Sequence, residues 1–409
     1  MNGIGRLHLR RSAGLGALLA GLVLVELHVF GRGRIWAHEW LWGFYQYHFV
    51  TVLLGPPSAG VAAWEGQRVA RSGEVTAASG ATLRAAVLAW ASVYAWVLIA
   101  YAVGLATVVT LVRMAGTPGW PDRVSVSTVG PAVALLAAET AIGFMVGRLV
   151  RSPLVPPVVA VGCFLVVLFF YISGPAGLVD VGGASGSLLG LAPRSELQAA
   201  QILLYLSLTL AAFLALLWAQ RTPGVMRAGA TIVALALVGV TGRNVVAQGP
   251  DSFREADVPL VCVGTRPEVC VGPGYRRLAP AVRDILLPYV EELEAAGAPV
   301  PERFAQGALR GEGSAPIGTL VFHLIRYGQA QAEYSGPFEI VNWYAGDSCD
   351  LFREPASTAF DGVAFWLLAR VHPEHVVAPL EPPVLSRGTL EEQRAWIRDA
   401  VRVLMACGR

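Results

Sequence analysis

The sequence predicts a polytopic α-helical membrane protein of six to seven spans, followed by a C-terminal α+β domain outside the membrane. Three observations carry that expectation. Of 409 residues, 55% are hydrophobic and only 15% charged, with a mean hydropathy of +0.54. Soluble proteins average about 25% charged residues, so too few charges remain here to cover a purely soluble surface. Apolar runs near the ~20 residues that cross a bilayer recur through the first 244 residues and stop there. Charge divides at the same place: residues 1–244 hold 16 Arg against 8 Asp/Glu (+8), and residues 245–409 hold 15 Arg against 21 Asp/Glu (−6). The expected domains are therefore 1–244 and 245–409. High hydrophobicity excludes disorder, and the acidic second half lacks the basic footprint of a nucleic-acid binder. All 31 basic residues are Arg, which together with abundant Ala, Gly and Val suggests a high-GC bacterial genome.

Seven spans are expected: Ala13–Phe30, Leu41–Trp64, Ala85–Leu111, Pro131–Val150, Val155–Ser173, Ile202–Ala219 and Ala228–Val240. The first follows Arg6, Arg10 and Arg11 like a signal peptide, but no small-residue cleavage site leads into a polar chain, so it reads as a retained helix. The second carries Tyr45, Tyr47, His48 and a Gly55-Pro56-Pro57 break; the last has a short core between Arg227 and Arg243. With the N-terminus inside, ten Arg face the cytoplasm (6, 10, 11, 68, 71, 84, 148, 151, 221 and 227) and five (32, 34, 113, 123 and 194) face outward. Seven spans then put the C-terminal domain outside; six put it in the cytoplasm.

Cysteines bear on that choice. Cys163 lies in an apolar span, whereas Cys262, Cys270, Cys349 and Cys407 all fall in the second half. An even number in one domain points to disulfides in an oxidising compartment. Cys262 and Cys270 flank a hairpin pattern, leaving Cys349 and Cys407 as the second pair. A four-Cys zinc site is the alternative, though no C-x-x-C pair supports it.

After the second span runs Pro56-Pro57-Ser58-Ala59-Gly60-Val61-Ala62-Ala63-Trp64-Glu65-Gly66-Gln67-Arg68-Val69-Ala70-Arg71-Ser72-Gly73, and Glu74 follows. From Ala62 to Glu74 it is expected to be an amphipathic cytoplasmic connection lying along the membrane face. Further on, Gly143-Phe144-Met145-Val146-Gly147-Arg148-Leu149 leads through Ser152-Pro153 and Pro156-Pro157 into Ala160, Gly162 and Cys163. Over roughly residues 10–220 these segments resemble the type-2 exporter class of ABC transporter permeases, common in actinobacteria. The resemblance implies a six-span domain that forms homodimers or heterodimers with other permeases. It also implies a separate ATPase subunit docking at Glu65, Gln67, Arg68, Arg71 and Glu74. The chain has no Lys and hence no G-x-x-x-x-G-K-[ST], so ATP and Mg²⁺ would be held by the partner and no cofactor by this chain. It departs from that family in its seventh span and its 165 further residues. A membrane-anchored receptor whose outer domain binds a ligand is the alternative.

Charged groups in spans are costly and often functional. Glu26 and His28 lie near the outer end of span one, where interfacial anchoring accounts for them. Glu139 sits midway along span four, with a role in a translocation path or dimer seam set against simple satisfaction by Thr140. Glu26, His28, His38, Glu39 and His48 lack metal-binding spacing, and the Trp and Tyr around them read as an interfacial aromatic belt, so no metal site is expected. The loop Ile172–Gln201 is either a flexible connector or holds a short amphipathic helix.

In the second half, a helix is expected from Pro280 to Gly297, a strand or short helix at Thr319–Tyr327, a strand at Phe338–Trp343, and a helix at Phe360–Val371. A final helix begins at the capping box Thr389–Glu392. H-E-x-x-H and G-x-S-x-G are both missing, so enzymatic activity is not expected. His372-Pro373-Glu374-His375 reads as a surface turn.

Overall fold

The computed structural model describes residues 14–31, 33–71, 82–173, 176–179, 182–183, 186–215, 224–249, 251–307, 314–346, 349–376 and 380–407. It divides into two compact units. The first is Met1–Ala115, Gly119–Gly186 and Ala192–Arg254; the second is Gly116–Pro118, Ser187–Leu191 and Glu255–Arg409.

The first unit is helical. Its helices are α1 (Gly14–Gly31), α2 (Trp40–His48), α3 (Val50–Arg71), α4 (Thr82–Met114), α5 (Arg123–Ser127), α6 (Val129–Leu149), α7 (Val155–Ser173), α8 (Ser195–Ala215) and α9 (Gly224–Ala247). Among the described residues, five helical stretches are long and apolar enough to cross a membrane: Gly14–Gly31, Arg84–Met114, Arg123–Leu149, Ser195–Ala215 and Gly224–Ala247; Val155–Phe170 is a shorter apolar helix. The protein is a helical membrane protein by these criteria. Helix α9 runs through Arg227 and Arg243, beyond the limits expected from its uncharged core. Of the 172–201 loop, the described residues show a 3-10 turn at Ala176–Leu178 and strand β1 (Leu191–Pro193), which pairs with β2 (Phe253–Glu255).

The second expected span requires correction. The helical path breaks at Phe49, between α2 and α3, and continues unbroken through Gly55-Pro56-Pro57 to Arg71. The two prolines remove N–H groups that would bond the Val52 and Leu53 carbonyls, a loss that helices tolerate where neighbours pack closely. The stretch Trp64–Arg71, expected as a separate connection along the membrane face, is the last two turns of α3.

Helix α3 is the hub. Gly55, Ala59 and Ala63 recur every four residues along it, and Glu139, Gly143 and Gly147 do the same along α6. A Cβ at Gly143 would run into the Ala59 carbonyl, one at Gly147 into the Ala63 carbonyl, and one at Gly66 into the Phe144 carbonyl. The two helices therefore run parallel in register, backbone against backbone, as small-residue seams allow in membranes. On another side, a Cβ at Gly60 would lie 3.0 Å from the Pro156 carbonyl and 3.1 Å from the Ala160 Cβ, which places α7 there.

The second unit holds a four-stranded sheet in the order β3 (Val261–Val263), β4 (Glu268–Val271), β5 (Arg303–Ala305) and β6 (Ser314–Pro316). The β3–β4 pair is antiparallel and sets Cys262 opposite Cys270; the other pairs are parallel. Cys262–Cys270 and Cys349–Cys407 lie at disulfide distance, 2.04 and 2.07 Å between sulfurs. Helices α10 (Ala279–Ala296), α11 (Gly318–Arg326), α12 (Gln329–Ala345), α13 (Ala356–Val371), α14 (Pro383–Arg387) and α15 (Leu390–Cys407) surround a core that includes Tyr289, Leu293, Phe304, Trp366 and Leu404. Gly297, with φ 75°, ends α10 in the left-handed conformation. The Thr389–Glu392 box caps α15 by reciprocal hydrogen bonds, Thr389 N–H to Glu392 Oε2 at 2.7 Å and Glu392 N–H to Thr389 Oγ1 at 3.3 Å. Phe338–Trp343, expected as a strand, belongs to helix α12: the helix-favouring run Gln329–Glu333 starts it, and Ile340, Val341, Tyr344 and Ala345 fall on a buried helical stripe.

Glu339 is a buried carboxyl in this core, 8% exposed, that accepts the Leu320 N–H at 2.7 Å at the start of α11. Burial pushes its pKa up to about 7 from 4.5, against the pull of the hydrogen bonds from Leu320 and Thr319. A raised carboxyl pKa means the native state binds more protons than the unfolded chain between those two values. Stability from this group is therefore full below about 4.5 and declines as pH rises through about 7. Hydrogen-exchange protection of residues 318–345, corrected for intrinsic rates, should fall over that interval, and Glu339→Gln should flatten the profile.

Candidate functional site

The seam between α3 and α6 positions the polar groups of the membrane half. Glu139 replaces a small residue in the four-residue repeat of α6, and its carboxylate occupies the space above Gly55, where any Cβ would overlap it. It is 4% exposed. The Cys163 thiol on α7 donates to Glu139 Oε1 at 3.5 Å, and Oε2 has no partner among the described residues. Thr140 does not satisfy it: the Thr140 hydroxyl donates to the Leu136 and Ala137 carbonyls and accepts from Trp90 Nε1–H. An acid with one unmatched oxygen thus lies where α3, α6 and α7 meet. A lone carboxyl at such depth offers a hydrogen-bonding or charge-binding position.

The same seam ends in a polar latch. Glu65 and Gln67 are buried on the last turns of α3, at 0% and 5% exposure. Gln67 Nε2 donates to the Ser152 carbonyl at 2.5 Å and to the Val150 carbonyl at 3.3 Å, tying α3 to the turn between α6 and α7. Arg68 pairs with Glu65 at 3.0 Å while its own side chain is half exposed, and Arg71 is exposed. Of the expected docking residues, Arg68 and Arg71 therefore face outward, Glu65 and Gln67 face inward, and Glu74 lies outside the described residues.

Around the other end of α2 and α3 is a hydrogen-bonded chain that sequence reasoning missed. The Thr128 hydroxyl donates to the Ser125 carbonyl at 2.6 Å, so its oxygen accepts from His48 Nε2–H at 2.7 Å. His48 Nδ1 is then the acceptor for the Tyr101 hydroxyl at 2.6 Å, and the Tyr47 hydroxyl donates to the Tyr101 carbonyl. This chain joins α2, α4 and the start of α6. His28 Nε2 instead meets the Gln46 carbonyl at 3.1 Å, and Glu26 accepts from the Thr107 hydroxyl at 3.1 Å. Among the described residues, His28 and His48 are thus committed to separate contacts. The Gly55/Ala59/Ala63 and Glu139/Gly143/Gly147 repeats were the sequence signal for the seam. No signal short of pairing the distant residues 48, 101 and 128 would have revealed the histidine chain.

No family model, curated protein or solved structure matches this chain.

If Gln67 is the latch, Gln67→Ala strands two carbonyls and should cost about 1–3 kcal/mol in unfolding from detergent micelles. Gln67→Glu, which keeps the length but loses the N–H donors, should cost at least as much.

Proposed function

We propose that the chain is the membrane subunit of an ATP-driven exporter, working with a separate ATPase subunit as the type-2 ABC permeases it resembles do. The observation that carries this reading is α3 itself. One helix begins among the buried aromatics of α2, passes the Glu139 carboxyl at Gly55, and ends in the outward-facing Arg68 and Arg71. Arg71 lies sixteen residues beyond Gly55, about 24 Å along a rigid rod. Force from a partner on the two arginines would reach the intramembrane acid through backbone contacts with little slack. The Gln67 latch carries the α6–α7 turn along with it.

In this reading α1, α2–α3, α4, α5–α6, α7, α8 and α9 cross the bacterial plasma membrane seven times. The N-terminus is inside, as the arginine distribution favours. The C-terminal domain is outside, where its cysteine pairs stay oxidised. Exposed apolar residues such as Val158, Val161 and Leu165 on α7 and Ile232, Leu235 and Val240 on α9 face lipid or a second permease. ATP and Mg²⁺ belong to the partner chain.

Purification of the intact chain from its native membranes in mild detergent with Mg-ATP should bring down an ATPase subunit. Arg68→Glu with Arg71→Glu should abolish that association at unchanged yield of the chain. A chain that purifies alone under all such conditions contradicts the proposal and favours the receptor alternative.

A further inference from the structure

The second unit gathers a cluster that its sequence spacing conceals. His372 follows the end of α13, His375 closes the 3-10 turn Pro373–His375, and Glu333 lies 39 residues before His372 on α12. One donor atom from each lies within 4.8 Å of the others, and all three residues are half-buried. We propose that Glu333, His372 and His375 form a binding site for a divalent transition-metal ion, Zn²⁺ in the first instance, with one coordination position left open.

The surroundings are those of a supported ligand set. Glu333 Oε1 accepts from Gln329 Nε2 at 2.7 Å, which leaves Oε2 toward His372 Nδ1 at 3.8 Å. The Tyr289 hydroxyl holds the Glu333 backbone carbonyl at 2.7 Å. Glu374 Oε1 lies 3.1 Å from the same His372 Nδ1, a contact that a metal bound at that nitrogen would displace. The His375 N–H bonds the His372 carbonyl at 3.0 Å, which fixes the turn between the two rings. Tyr334 packs edge-on to His375. Two imidazoles and a carboxylate suit zinc, which holds such donors about 3.3 Å apart in a tetrahedron. Side-chain movements of up to about 1.5 Å bring donors that now lie within 4.8 Å of one another to that spacing. The Glu333 and Glu374 carboxylates beside the two rings also supply charge that a divalent cation neutralises. Cys262, Glu268 and Cys270 converge as well, but their sulfurs are paired with each other.

The site is tested on the full chain in detergent, stripped with chelator and titrated with Zn²⁺ against a chromogenic competitor. The wild type should bind one equivalent more than the Glu333→Gln/His375→Ala double variant. Zn²⁺ should raise the melting temperature of the wild type and not of the double variant. Co²⁺ added to the wild type alone should give visible d–d bands without thiolate charge transfer, a readout that needs no variant to fold. Equal stoichiometry and equal melting shifts in wild type and double variant, or no Co²⁺ bands in the wild type, would overturn the proposal.

Discussion

The membrane half depends on one close approach: the backbone of α6 lies directly against that of α3 because Gly143 and Gly147 leave nothing between them and the Ala59 and Ala63 carbonyls. In a bilayer there is no hydrophobic gain in bringing helices together, so association rests on dispersion contacts and on hydrogen bonds that apolar tails do not offer. A seam of small residues maximises the first. It also brings carbonyls and polar side chains of neighbouring helices within reach of one another, which makes the second possible. The Glu139 carboxyl fits over Gly55, and Gln67 reaches the α6–α7 turn, only because the helices are this close.

That geometry links packing to the proposed work of the protein. A loosely packed α3 would dissipate a push at its end in side-chain rearrangement; one seated backbone to backbone moves with its neighbours. The proline pair within α3 does not break the rod, because α6 and α7 brace it on two sides. At its other end, the satisfied chain of Thr128, His48 and Tyr101 anchors α2 and α4 around it. Buried chains of this kind specify one arrangement when every member is matched, as these are. Glu139 Oε2, by contrast, is a buried oxygen left unmatched among the described residues, and it is a place where ligand or movement would find a use.

The apolar runs of α1, α4 and α6 were legible in sequence because helices long and apolar enough to cross a membrane advertise themselves by composition. The Cys262/Cys270 hairpin and the Thr389–Glu392 cap were legible because both signals are local. Phe338–Trp343 misled because a short aromatic and aliphatic run looks the same in strand and helix until its flanks are weighed. The connection Trp64–Arg71 misled for a related reason: its charges suggested a water-exposed face, whereas Glu65 and Gln67 are polar residues buried to bond polar partners. The Glu333–His372–His375 cluster was invisible, since α12 and the end of α13 meet only through the tertiary fold.

The central claim is that α3 and α6 touch backbone to backbone, and substitution of single glycines tests it most directly. Unfolding in detergent should show Gly147→Ala and Gly143→Ala strongly destabilising, and Gly147→Val worse still, because each added atom must push a carbonyl aside. Gly162→Ala on α7, where a Cβ meets nothing within 4 Å, should be neutral or slightly stabilising. If Gly147→Ala proves as well tolerated as Gly162→Ala, the seam does not exist in this form, and the transmission of force along α3 falls with it.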